Sequence, residues 1–427
     1  MEKIRELLEK ISADHSRMML ELYGDAPDEL RRQKERYAKL LNAFEKEFGR
    51  EEAALFSTPG RTEIGGNHTD HNYGRVLAGA VNLDNIATAA PNGSNTVRII
   101  SEGYPSFEVD LDVLSPVEVE KYSSAALVRG ICARLKELGF AIGGFDACID
   151  GEVPKGSGLS SSASFEVLIG AIVNHLFNHG KIDPILIAIV GQYSENQFFG
   201  KPCGLMDQTA CSVGGLVTID FKDPANPVVK KVDFDFTKTG YALVITDTGG
   251  SHANLNEEYA SIPREMRAVA SALDAVVLRQ VSLEKVLQAI PELREKVGDR
   301  ALLRAIHFQA DNARVVEQVN ALENNNFPAF LQMATGSGFS SFMYNQNIFP
   351  VIDITHQGVA LGLALSHLVL DGHGAWRVHG GGFAGTIQAF VPQNLLQKYV
   401  DTLEHVFGKG SCHKLFIRDK GAVKVEF

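Results

Sequence analysis

Three short stretches concentrate side chains that could do chemistry. In "PKGSGLSSSA", residues 154–163, Gly156 and Gly158 let the backbone turn its N–H groups inward, and Ser160, Ser161 and Ser162 follow where a helix begins. A helix N-terminus offers free N–H donors and the positive end of the dipole, a natural seat for phosphate. A serine hydroxyl there can bind Mg²⁺ or a phosphate oxygen. No lysine precedes the hydroxyls, so the stretch is not an ordinary P-loop. Alone, it reads equally well as a serine-rich helix cap. In "GLMDQTACSVGG", 204–215, Asp207 lies amid small and apolar residues. A carboxylate there is costly without partners. It suits a base aimed at a substrate hydroxyl, and a capping aspartate is the plainer alternative. "GRTEIGGNHTDHNYGR", 60–75, gathers Arg61, Glu63, Asn67, His68, Asp70 and His71 between two apolar segments. It could be a metal cluster, a solvated loop or a pocket for something covered in hydroxyls.

Two further features are weaker. "HGGGFAGTIQAF", 379–390, places three glycines before a strand, which suggests close backbone approach. The run leads into a strand rather than a helix, so a dinucleotide fold is a poor match. Glu195 is a lone acid whose default reading is a solvated surface group.

These stretches must be held by mixed elements. Residues 1–48 have apolar side chains at helical spacing (Ile4, Leu7, Leu8, Ile11, then Tyr37, Leu40, Leu41, Phe44), interrupted at "GDAPDEL". From about 52 to 112 the pattern is of strands. A helix is expected over 120–139, a strand with Phe145, Ala147 and Ile149 on one face, and an apolar helix over 161–178. Asp183-Pro184 signals the start of another helix, running to about Phe199. "GGLVTIDF" reads as a strand. Residues 222–240 read as a surface hairpin and a domain junction. "YALVITDTG" reads as a strand, 256–280 and 283–322 as helices, and 359–370 as a buried helix. Trp376 reads as core. The fold class is α+β, with a helical extension over 1–48 and domains over 49–230 and 231–427.

At 427 residues the chain is long enough for two cores. Its net charge of −11 argues against a phosphate-backbone binder, so no nucleic acid is expected. Five cysteines without CxxC spacing argue against a disulfide framework or zinc site and fit a reducing cytoplasm. The charged N-terminus has no signal-peptide core, and no apolar run is long enough to cross a membrane.

Taken in order, "GRTEIGGNHTDHNYG", "PKGSGLSSSA", "GLMDQ" and "GGGFAG" resemble the motifs of the galactokinase branch of the GHMP small-molecule kinases. The resemblance spans about residues 50–427. It implies an N-terminal domain like the second domain of ribosomal protein S5, a ferredoxin-like C-terminal domain, and phosphoryl transfer from Mg·ATP to the anomeric hydroxyl of a hexose in the cleft between them. Carried over by position, Asp207 is the catalytic carboxylate and Arg61 orients it. Asn67, His68, Asp70, Gly204 and Tyr259 meet the sugar. Gly156, Ser157, Gly158, Leu159, Ser160, Ser161 and Ser162 cradle the triphosphate. Ser162 and Glu195 hold Mg²⁺, with Ser161 a close competitor. The expected partners are sugar and ATP, and the expected state is a monomer or weak homodimer.

The sugar signature departs from the family pattern. Asn67 stands where the family has glutamate, Glu63 replaces an asparagine, Gly65 an aliphatic residue and His71 a tyrosine. Ala384 replaces a glycine, and "GSGFSSFMYNQN", 336–347, lacks a charged pair. In one reading Asn67 still bonds the sugar and galactose remains the substrate. In the other, losing the acid at 67 admits a related sugar: galacturonate, N-acetylgalactosamine or arabinose. A catalytically silent galactose sensor is the alternative of another class, against which "GLSSSA" and "MDQ" are intact.

Overall fold

The computed structural model describes every residue except 14–16, 155–157, 202 and 251–254. Two long strands, Glu52–Gly65 and Arg75–Pro91, form an antiparallel ribbon through the first domain. At one end Arg75–Pro91 pairs with Phe145–Gly151, which lies parallel to Thr96–Ser101, itself antiparallel to Phe107–Asp110. At the other end it pairs with Leu216–Asp220, which forms a hairpin with Val228–Val232. The chain's last strand, Val423–Val425, returns to pair with Glu52–Gly65.

Strand alternation splits this sheet between two helical layers. Ala54, Phe56, Ala87 and Ala89 pack against the apolar helix Ser161–Phe177 and its neighbours. Ala53, Leu55, Ile86 and Ala90 face the N-terminal helices Ile4–Ser12, Arg17–Tyr23 and Pro27–Phe48. Of the residues whose spacing predicted those helices, Ile4, Leu7, Ile11, Tyr37, Leu40, Leu41 and Phe44 are buried there and Leu8 is half-buried.

That outer layer is fastened by one fully buried carboxylate, Asp84. Arg36 Nη1 donates to its Oδ1 at 2.7 Å. Tyr23 Oη and Arg418 Nη1 donate to Oδ2 at 2.7 and 3.1 Å, and Ser57 Oγ donates there as well. The N-terminal helices, the central ribbon and the C-terminal tail therefore meet at one charge.

The second domain runs strand, helices, strand, strand, helix, strand. Its antiparallel sheet has the order Ala375–Val378, Thr386–Pro392, Tyr241–Asp247, Cys412–Leu415. This is the expected ferredoxin-like order. Leu243, Ile245 and Phe390 face helices Asp299–Glu323 and Phe327–Ser340, in a core that also takes in Ile64, Leu77, Val81 and Leu159 of the first domain. The two domains thus share apolar packing. On the other face, Val244, Ala389 and Val391 meet helices Gly358–Leu370 and Leu396–Phe407, and Trp376 is buried among them.

Three expected elements differ in detail. The helix expected over 256–280 closes at Ala272, with only a single turn at Leu278–Gln280. The one expected over 283–322 is two helices, Leu283–Val297 and Asp299–Glu323, broken by Gly298 at φ +82°. Helix Gly358–Leu370 buries one face only, leaving Leu368 77% exposed.

Replacing Asp84 by alanine leaves the buried Arg418 without its carboxylate, while Arg36 keeps Asp150 and Glu152, and a loss of about 3–5 kcal/mol is expected in denaturant unfolding. Burial opposes ionisation of Asp84, but Arg36 and Arg418 prevail and hold its pKa below the ordinary value. Its contribution is therefore full above the unfolded-state pKa of about 3.9 and is lost as pH falls through the folded value. Asp84→Ala should be less stable than wild type at pH 7, and the gap should narrow below about pH 4.

Candidate active site

Arg61 owes its position to a disturbed strand. Register shifts fall between Pro59 and Arg61 and between Glu63 and Gly65. Bulges of this kind re-aim side chains. Arg61 and Glu63, two residues apart, lie on the same side of the strand. A Cβ on Gly60 would sit 2.8 Å from the Leu159 carbonyl oxygen, so glycine is required where the strand meets the serine loop. Arg61 N–H donates to that same oxygen at 3.0 Å.

Asp207 lies in the first turn of helix Met206–Val213. Arg61 grips it with two parallel bonds, Nε to Oδ1 at 2.7 Å and Nη2 to Oδ2 at 2.8 Å. Ser160 Oγ also donates to Oδ2, and Arg61 Nη1 donates to the Gly158 carbonyl. Burial pushes the Asp207 pKa up, but Arg61 and Ser160 outweigh it and hold the carboxyl below its usual range. Asp207 is therefore ionised at neutral pH and held in one orientation.

The serine loop runs into helix Ser161–Phe177. Ser160 adopts a left-handed conformation, φ +59°, and turns its hydroxyl to Asp207. Ser161 and Ser162 occupy the first turn, where N–H groups lack helical partners. Gly158, Ser160, Ser161 and Ser162 line a cleft of about 840 Å³ together with Arg61, Asp207 and Lys201. Tyr104, Phe107, Tyr122 and Phe199 supply an aromatic portion of the same cleft. Leu159 is fully buried, and Gly156 and Ser157 lie outside the described residues.

Glu195 opens a π-helical turn, Glu195–Phe199, at the end of helix Pro184–Ser194. Such turns often occur at functional sites. Gln208 Nε2 donates to Glu195 Oε2 at 3.1 Å and to Glu166 Oε2 at 2.9 Å, tying two buried acids together. Burial, then the charge of Glu195, pushes the Glu166 pKa well up. Lys201 Nζ stands 3.6 Å from Glu195 Oε1. Among the described residues no three His, Cys, Asp or Glu side chains converge as a metal cluster. The donors present, one carboxylate and serine hydroxyls, are hard oxygens, which fit a cation taking its remaining ligands from phosphate and water.

A second, smaller cavity of about 160 Å³ lies along the sugar-signature segment, lined by Arg61, Glu63, His68, Asp70 and His71 with Gly380 and Gly381 opposite. Gly204 stands beside it, since a Cβ there would be 2.8 Å from Asp70 Oδ2. His68 Nε2 lies 2.9 Å from the Gly381 carbonyl. A carbonyl only accepts, so Nε2 carries the proton and Nδ1 remains an acceptor. Burial and the neighbouring His71 push the His68 pKa down to about 4, so the ring is neutral.

Asn67 is placed otherwise than expected. It is fully buried and outside the cavity lining. Its Nδ2 donates to Glu63 Oε1 at 3.0 Å and to the Gly380 carbonyl at 2.8 Å. Its Oδ1 accepts from Asn347 Nδ2 at 2.8 Å and Ser341 Oγ at 3.1 Å. Protein groups thus occupy the amide that was expected to meet the sugar. Tyr259 likewise stands behind the glycine run, its hydroxyl donating to the Gly382 carbonyl at 2.9 Å. Its ring would collide with any side chain at Gly381. Asn67, His68 and Tyr259 together hold three successive glycine carbonyls.

Sequence reasoning missed Gln208, Glu166, Lys201 and the aromatic part of the cleft. Glu166 left a signal, a lone carboxylate on an apolar helix. The aromatic residues left none.

Comparison with known proteins agrees with this geometry. Residues 126–215 match the GHMP kinase N-terminal domain, and residues 42–91 match the galactokinase galactose-binding signature. The fold is similar to Lactococcus lactis galactokinase, solved in complex with galactose, with a TM-score of 0.77 and 25% identity, over 91% of this chain and 100% of that one. It is also similar to Methanococcus jannaschii mevalonate kinase, with a TM-score of 0.61 and 13% identity, over 86% and 99% of the two chains. Streptococcus pneumoniae phosphomevalonate kinase matches with a TM-score of 0.58 and 14% identity, over 87% and 99%. The signature segment, the serine loop and Asp207 are thus gathered around one arginine in a chain that carries the GHMP kinase N-terminal domain match and the galactose-binding signature and resembles a galactokinase in fold.

Proposed function

We propose that the protein transfers the γ-phosphoryl group of ATP to the anomeric hydroxyl of galactose. One observation carries this reading: Arg61, locked to Asp207, lines both the small polar cavity and the large cleft. A hydroxyl donor on one side and a nucleotide on the other would meet at that pair. The galactose-binding signature and the relative solved with galactose support the choice of sugar.

In this reading the first-turn N–H groups and the hydroxyls of Ser161 and Ser162 receive the phosphates. Tyr104, Phe107, Tyr122 and Phe199 offer faces and edges for the base. Glu195 and Ser162 would hold Mg²⁺, which when bound neutralises charge on the phosphates. Asp207 orients the sugar hydroxyl and accepts its proton. Its lowered pKa makes it a weak base, so the proton moves late, once bonding to phosphorus has made the hydroxyl acidic. Arg61 fixes Asp207 and offsets charge developing beside it. Alignment and charge placement provide the catalysis, as phosphoryl transfer requires. Five unpaired cysteines agree with a cytoplasmic enzyme.

Asp207→Asn should bind galactose and ATP by calorimetry as wild type does and lose about 10²–10⁴-fold in kcat. Substantial remaining turnover would overturn the role of Asp207. Tyr104→Ala and Phe107→Ala should each raise KM for ATP by up to about tenfold, leaving KM for the sugar unchanged. In a panel of galactose, glucose, N-acetylgalactosamine, galacturonate and arabinose with Mg·ATP, galactose should show the highest kcat/KM. Any other ranking rejects the substrate assignment.

A further inference from the structure

Glu63 is 6% exposed and lines the small cavity. Arg377 Nη2 donates to it at 2.7 Å and Asn67 Nδ2 at 3.0 Å, and both bonds end on the same oxygen, Oε1. Arg377 is itself fully buried, so the carboxylate is held as an ion pair. Among the described residues no donor reaches Oε2. Oε2 is not one of the sealed side-chain atoms without a partner among the described residues, so it opens on the cavity rather than into the core. It belongs to a cavity-lining side chain, and a hydroxyl donor bound in that cavity would complete it.

The strand sets the scale. Arg61 marks the reacting end, and Glu63 follows two residues later on the same side, about 6–7 Å along an extended chain. That is the span from one hydroxyl of a pyranose ring to those across it.

We propose that Glu63 Oε2 accepts the hydrogen bond of a sugar hydroxyl remote from the reacting one, with Asn67 as a positioning residue that holds Glu63. This rests on the sugar-kinase reading given above. It also gives the two departures at 63 and 67 a single meaning. The acid and the amide have exchanged places within one hydrogen-bonded pair, so the pocket keeps its carboxylate. On this proposal, the alternative reading in which losing the acid at 67 admits a uronate loses its basis. Glu63 and Asp70 both carry negative charge toward the cavity, and the guanidiniums of Arg61 and Arg377 are already paired.

The test uses the panel sugar of highest kcat/KM and its singly deoxygenated analogues, with wild type and Glu63→Gln. In wild type, one analogue lacking a remote hydroxyl should lose about 10- to 100-fold in kcat/KM, the size of one hydrogen bond to a charged acceptor. In Glu63→Gln the parent sugar should fall by a similar factor, the penalty for that analogue should vanish, and the other analogues should keep theirs. KM for ATP should not move. A folded variant that lowers every sugar by one common factor would show Glu63 to be only the partner of Arg377 and would overturn the proposal. So would a wild type that penalises no remote deoxygenation. If Glu63→Gln does not fold, Glu63→Asp is read by the same criteria, since it keeps the charge against Arg377 and withdraws the oxygen by one methylene. Should galactose not be the preferred sugar, the substrate assignment fails while Glu63 is still tested on the sugar that is.

Discussion

The bidentate pair between Arg61 and Asp207 is the constraint around which the site is arranged. A buried ion pair adds little to net stability, because desolvation offsets most of the attraction. What it fixes is geometry. Asp207 accepts from three donors, two on Arg61 and one on Ser160, so its free directions are limited. Meeting that requirement accounts for much of the local backbone. Gly60 lets the strand touch the serine loop, the flanking bulges aim Arg61, and Ser160 takes a left-handed conformation that presents its hydroxyl. Several features unfavourable in isolation become consistent once the pair must form.

The second domain extends that control to the signature segment. Asn67 N–H donates to Asp311 Oδ2 at 2.9 Å, and its carbonyl accepts from His307 at 2.8 Å, both from helix Asp299–Glu323. Its side chain reaches Gly380, whose neighbours Gly381 and Gly382 are gripped by His68 and Tyr259. A satisfied polar network of this kind specifies one arrangement. The two domains also share an apolar core, which adds to the polar contacts that hold the glycine run against the signature segment.

Which stretches the fold gathers around the cleft was legible where residue type and spacing restrict the options. Asp207 among small residues and serines at a helix start each narrow the choice, and their order in the chain narrows it further. Helical periodicity marked the N-terminal layer and alternation marked the ribbon. What pairs with what was not legible. The partners of Asn67 are residues 63, 307, 311, 341, 345, 347 and 380, mostly far away in sequence. No local rule shows that its amide is spent before a ligand arrives. The buried charge at Asp84 escaped notice for the same reason, since its partners come from both ends of the chain. Gly298 shows the opposite failure: a visible glycine inside a strong periodic pattern, outvoted by that pattern yet decisive for the backbone.

Charge divides the active site into two unlike halves. On the sugar side the lining carries Arg61, Glu63 and Asp70, with Arg61 paired to Asp207 and Glu63 paired to Arg377, while His68 is neutral. A cavity whose cations are already paired with carboxylates favours neutral molecules rich in O–H donors over phosphate. On the other side, the start of helix Ser161–Phe177 points free N–H groups into the cleft, and Lys201 adds a positive charge. A polyanion is drawn to that half and a polyol to the first. Arg61 lines both, and in the proposed reading a phosphoryl group moving toward a hydroxyl passes it. The polarity of the site therefore orders the two ligands before any contact with a particular hydroxyl selects the sugar.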